Sequence, residues 1–195
     1  YDNGYLIADP KEAYIIETAG HEWVVKKVEG TEGISNIHSI GTNWDNISDT
    51  AITTAQSLKL QIDSPKLNFA NTFCDFDSRF DGRGEFRRLR SCTYLENLKT
   101  NINLKDIISI LKDHSDGENL NIAQNFLDTK TICMHYPKPD SDGNTAASLV
   151  SELYSDNSQL DIHWTSMYSP CLGIFLPMFI EGKIPNVLSI GDKNY

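Results

Sequence analysis

The feature that most constrains this chain is a run of closely spaced apolar segments at its start, NGYLIADPKEAYIIETAGHEWVVKKVEG, from Asn3 to Gly30. Tyr5 to Ala8 is apolar, and Asp9-Pro10 then marks a turn, because proline fixes its own φ and biases the preceding residue away from helix. Ala13 to Thr18 is apolar and β-branched. Ala19-Gly20 turns the chain again, and Trp23 to Val28 is a third run. Segments of this length joined by short turns predict an antiparallel meander. A fourth strand is expected in ISNIHSIG, up to Gly41, with a polar turn at Asn36.

Further along, Asp49 to Lys59 reads as a short helix capped by Asp49. Leu67 to Phe80 has no period and is expected to be irregular. A helix is expected from Gly82, with an imperfect stripe at Phe86, Leu89 and Cys92 and arginines on its other faces. Leu104, Ile107, Ile108 and Leu111 then fall at i, i+3, i+4 and i+7 behind Asn103, a good N-cap. Gly117 is placed to close that helix. Strands are expected at Thr131 to His135, Thr145 to Leu153, Asp161 to Met167 and Leu172 to Ile180. Strands, then helices, then strands make the class α+β.

The 195 residues suit one domain with a real core. A formal charge of −10 argues against a nucleic-acid surface, whose affinity rests on cations at phosphates. The one basic cluster, Arg79 to Arg90, reads as a solvated helix face. No apolar run approaches the roughly 20 residues that span a bilayer. Of the four cysteines, only Cys133 has a histidine at ligand spacing, His135. That pair reads as packing, so no metal or cofactor is expected. Four free thiols would suit a reducing compartment and weakly favour the cytoplasm, while an even number also permits disulfides and leaves a secretory or lysosomal setting open.

Several words together resemble a known family: LIADPKEAYIIETAG with a tryptophan soon after, ISN, DGRGEFRRLR, TICMHYPKPDSDGNTAASLVSEL and DIHWTSMYSPCLGIFLPMFI. In this order they resemble peptidase family C69, the bacterial dipeptidases and secernins, within the N-terminal-nucleophile hydrolases. The resemblance covers nearly the whole chain. It implies a four-layer αββα sandwich and a cysteine-type dipeptidase or amidohydrolase. That enzyme hydrolyses a small peptide or amide through an acyl-cysteine. The nucleophile in such enzymes is the first residue of the mature chain, and its own α-amino group is the base. Tyr1 cannot take that role, so the expectation is a partial domain whose cysteine lies on an upstream segment of the same precursor. The resemblance further implies supporting roles for two residues. Asn36 would donate its amide to the oxyanion, and Arg83 in DGRGEF would hold the nucleophile's charge environment. The residues alone also allow Asn36 to cap a turn and Arg83 to pair with Asp81 or Glu85. A non-catalytic, secernin-like binding or assembly protein is the alternative, and a homo-oligomer fits either.

Overall fold

The computed structural model describes residues 2–62, 65–74, 83–114, 131–134, 144–156, 159–183 and 185–186, and of Arg83 the backbone alone. It divides into two units, Tyr1–Ile102 with Thr129–Ile132, and Asn103–Asp128 with Cys133–Tyr195. Both mix helices with an antiparallel sheet, as the α+β expectation requires.

In the first unit the meander forms as expected: β1 (Asn3–Ala8), β2 (Ala13–Ala19) and β3 (Glu22–Lys27) pair in sequence. Asp9 makes the first turn, its carboxylate accepting the amides of Lys11 at 2.7 Å and Glu12 at 2.9 Å. Gly20 makes the second with φ of 62°, a left-handed conformation glycine adopts without steric cost.

The fourth strand is not where it was expected. Ser35 to Ile37 forms only an isolated bridge, and the sheet is completed by β4 (Asn46–Ile47), which pairs with β3. The physical reason lies in β2. Ser39 and Ile40 give their amides to the buried Glu17 side chain instead of to a neighbouring strand.

Alternation sets one face of the sheet inward. Ile15, Glu17, Glu22 and Val24 are all buried on it, in a register that places Glu17 opposite Val24 and Glu22 opposite Ala19. Ile15 and Val24 pack with Ile40, Ala55, Leu67 and Phe69 to make the core. Ala55 comes from α1 (Ala51–Ser57) and Phe69 from α2 (Phe69–Phe73). The expected helix near residues 49–59 is thus present, but it starts after Thr50, which makes no side-chain cap. The reading of Leu67 onward as irregular missed α2. Asn68 caps that helix by accepting the Asn71 amide.

α3 (Arg83–Leu98) begins where DGRGEF suggested. Arg87, Arg88 and Arg90 are half-buried rather than a solvated face, while Arg79 and the Arg83 side chain lie outside the described residues. Arg88 donates to Glu32 at 3.0 Å with both side chains largely buried, and Lys26 reaches the same carboxylate at 2.6 Å. Arg90 donates to the Tyr94 hydroxyl at 2.6 Å.

In the second unit α4 (Leu104–Leu111) has the expected cap. Asn103 accepts the Lys105 and Asp106 amides, and the Asp106 carboxylate accepts the Asn103 amide. Gly117 lies outside the described residues; the helix itself ends at Lys112. α4 packs on β5 (Ala147–Glu152), which pairs with β6 (Ile162–Met167), which pairs with β7 (Leu176–Met178). Leu172 to Ile180 therefore yields a strand of only three residues. Pro177 sits within it, opposite Trp164, on the sheet edge where a missing donor is tolerated. Thr131 to Met134 joins no ladder, so the strand expected there does not form over these residues; His135 lies outside the described residues. Among the described residues no helix is long and apolar enough to cross a membrane.

Candidate functional site

The first unit holds a cleft of about 330 Å³ walled by Asp2 to Gly4 on one side and Ile34 to His38 on the other, with Cys74 at its rim. Three interactions position the Ile34–His38 wall. Downstream, Glu17 accepts Ser39 N at 2.7 Å, Ser39 Oγ at 2.8 Å and Ile40 N at 3.0 Å. Upstream, the Glu32 carboxylate is held by Arg88 and Lys26. From above, α3 lies directly on the wall through two glycines. A Cβ on Gly84 would stand 2.8 Å from Ile37 Cγ2, and one on Gly33 would stand 2.6 Å from Ser91 Oγ. Both glycines are there for close approach, since real Cβ atoms do not come so near.

Asn36 is exposed in this cleft. Its Oδ1 accepts from Arg87 Nη2 at 2.8 Å. A guanidinium has donors only, so this contact decides which way round the amide sits. The oxygen is taken by Arg87, which leaves Nδ2 as the donor end, with no hydrogen bond among the described residues. Arg87 thus contacts Asn36, and it lies one helical turn beyond the expected Arg83. Arg83 is the first residue of α3, and its side chain is outside the described residues.

His38 lines the same cleft. Its Nε2 donates to the Thr18 carbonyl at 3.0 Å. Its Nδ1 is buried and has no hydrogen-bond partner among the described residues. Phe69 packs edge-on against the ring, with centroids 5.5 Å apart. The arrangement supplies one neutral donor, at Asn36, and one buried ring nitrogen without a partner among the described residues, at His38. Sequence reasoning passed over His38, although its spacing of two from Asn36 in an extended segment was the signal.

The cysteines divide. Cys133 is fully buried, and burial pushes its thiol up to about 12. It is no resting thiolate. Cys92 is half-buried in α3 and donates weakly to the Gly33 carbonyl at 3.8 Å. Cys171 is half-buried. Cys74 is half-buried at the cleft rim. His163 pairs with Ser151 across the β5–β6 ladder, its Nδ1 2.9 Å from Oγ, and so is engaged away from any cysteine.

One grouping was not foreseen. A ring nitrogen of His114 and the Sγ atoms of Cys133 and Cys171 all lie within 4.8 Å of one another in the second unit. The sequence had paired Cys133 with His135, two residues on; the fold instead brings it a histidine from the end of α4 and a cysteine from the turn before β7. These three side chains are the metal-competent cluster among the described residues. No protein-family model matches this chain.

Proposed function

We propose that this chain is the later part of a cysteine-type amidohydrolase or dipeptidase of the N-terminal-nucleophile class, with Asn36 donating its side-chain amide to the oxyanion. The observation that carries the reading is the Arg87–Asn36 contact at 2.8 Å. It holds the amide with its donors turned from the guanidinium, as an oxyanion donor requires. A preorganised neutral donor is worth about 10²- to 10³-fold in rate at such a site. The donor costs nothing to reorganise, because Glu17 and Gly84 already fix the backbone that bears it.

In this proposal the nucleophilic cysteine comes from a segment preceding Tyr1. Residues 2–4 form one wall of the Asn36 cleft, so a segment joined to them is within reach of it. The α-amino group of that cysteine takes the thiol proton, the thiolate attacks the amide carbonyl, and the amine leaves with a proton. Water then hydrolyses the thioester. The reading implies the four-layer αββα sandwich of that class. The non-catalytic, secernin-like reading keeps the cleft for binding and needs no cysteine at the mature terminus.

The test is to label the native full-length protein with an electrophilic peptide analogue and map the adduct by mass spectrometry. An adduct on a cysteine at the mature N-terminus upstream of Tyr1 is the expected result. A stoichiometric, inactivating adduct on Cys74, which shares the cleft, would replace the proposed nucleophile. A mature terminus without cysteine and no adduct would favour the binding protein.

A further inference from the structure

We infer that His114, Cys133 and Cys171 form a metal site for zinc or a comparable thiophilic divalent cation, with a fourth position open. The three ligand atoms already lie within 4.8 Å of one another. Around a tetrahedral zinc with Zn–S of about 2.3 Å and Zn–N of about 2.0 Å, ligand atoms stand roughly 3.4–3.8 Å apart. Closing the cluster onto a metal therefore needs shifts of about an ångström or less. Two thiolates and an imidazole are the donor set zinc prefers over calcium or magnesium, which take oxygen.

The positions are built, not incidental. Three separate segments bring the ligands. His114 follows the end of α4 by two residues beyond its C-cap Lys112. The Cys133 amide donates to the Asp113 carbonyl at 3.0 Å, which ties it beside His114. Cys171 sits in a turn where the Leu172 and Gly173 amides both donate to the Ser169 carbonyl at 3.0 Å. Cys133 is wholly buried, so its Sγ reacts only with what the cluster admits. Neither cysteine is in a disulfide. A metal at this point would cross-link the α4 end, the Cys133 segment and the approach to β7. It would displace two thiol protons on binding, and affinity would rise with pH for that reason.

Zinc stoichiometry of the reduced full-length protein, measured by elemental analysis after dialysis, is the test. Cobalt(II) substitution provides the second readout through its thiolate-to-cobalt charge-transfer band. The expected result is one metal per chain, a band showing thiolate ligation, and an unfolding temperature raised by zinc. Cys171→Ser and His114→Ala, at half-buried positions, should each weaken binding at least tenfold and abolish the thermal shift while remaining folded. Cys133→Ser should do the same; if it fails to fold, the other two variants decide. Metal binding that survives both Cys171→Ser and His114→Ala would overturn the inference. So would a protein that takes up no zinc when reduced, including one whose Cys133 and Cys171 merely join as a disulfide in air.

Discussion

Gly84 rests on Ile37 so closely that a Cβ there would stand 2.8 Å from Cγ2, and 3.4 Å from the carbonyl carbon of Asn36. The start of α3 and the residue that bears the proposed oxyanion donor are one packed unit. Gly84→Ala should therefore destabilise the protein by about 1–3 kcal/mol through overpacking. This outweighs the roughly 1 kcal/mol that alanine gains over glycine as a helix former. Urea unfolding measures it. A stabilised Gly84→Ala variant would mean the helix shifts freely on that wall.

Glu17 is 1% exposed and accepts three hydrogen bonds from Ser39 and Ile40. Glu17→Ala leaves two backbone amides unanswered at a buried site, each costing about 1–3 kcal/mol. A loss of at least about 2 kcal/mol is expected in chemical denaturation. Amide exchange at Ser39 and Ile40 should accelerate beyond what the loss of global stability explains. Unchanged exchange there would show that the wall is held by packing alone.

Glu22 gives a pH signature. Burial alone would raise its pKa. The hydroxyls of Ser48, Thr54 and Thr50 donate to the carboxylate and together outweigh burial, so it lies below its ordinary value of 4.5. A carboxylate depressed in the folded state adds stability above its unfolded pKa and loses it as pH falls through the folded one. Stability should therefore decline as pH drops below about 4.5, and Glu22→Gln should flatten that decline while lowering stability at neutral pH. An identical pH profile in the variant would remove Glu22 from the acid response.

Arg87→Met tests the orientation of the amide. Without the guanidinium the Asn36 side chain is free to turn, so the donor survives but is no longer preset. A fall in kcat smaller than that of Asn36→Ala is expected, with KM nearly constant. A loss equal to or larger than that of Asn36→Ala would give Arg87 a direct contact with the reacting atoms.

The sequence made the meander, both long helices and the β5–β6 pair legible, because each carries a local signal: a turn pair, an N-cap, an apolar stripe or a partial alternation. Asn103 and the stripe behind it marked the start of α4 to the residue. What was not legible depends on partners distant in the chain. Nothing local says that Glu17 faces inward and takes the amides of Ser39 and Ile40, which is why ISN looked like a strand. Short α2 has too few residues for a period. That Arg87 meets Asn36 follows from the helix being wound onto the wall at Gly84, a matter of packing. His114 and Cys171 join Cys133 only through the tertiary fold.

The most direct test of the account is the kcat of the full-length protein on a small peptide amide, wild type against Asn36→Ala, with folding checked by thermal unfolding. If Asn36 is the oxyanion donor, kcat falls at least about tenfold, toward the 10²- to 10³-fold typical of losing one such donor, while the unfolding temperature stays nearly the same. An unchanged kcat in a folded Asn36→Ala protein would contradict the account and leave Asn36 as a turn residue held by Arg87.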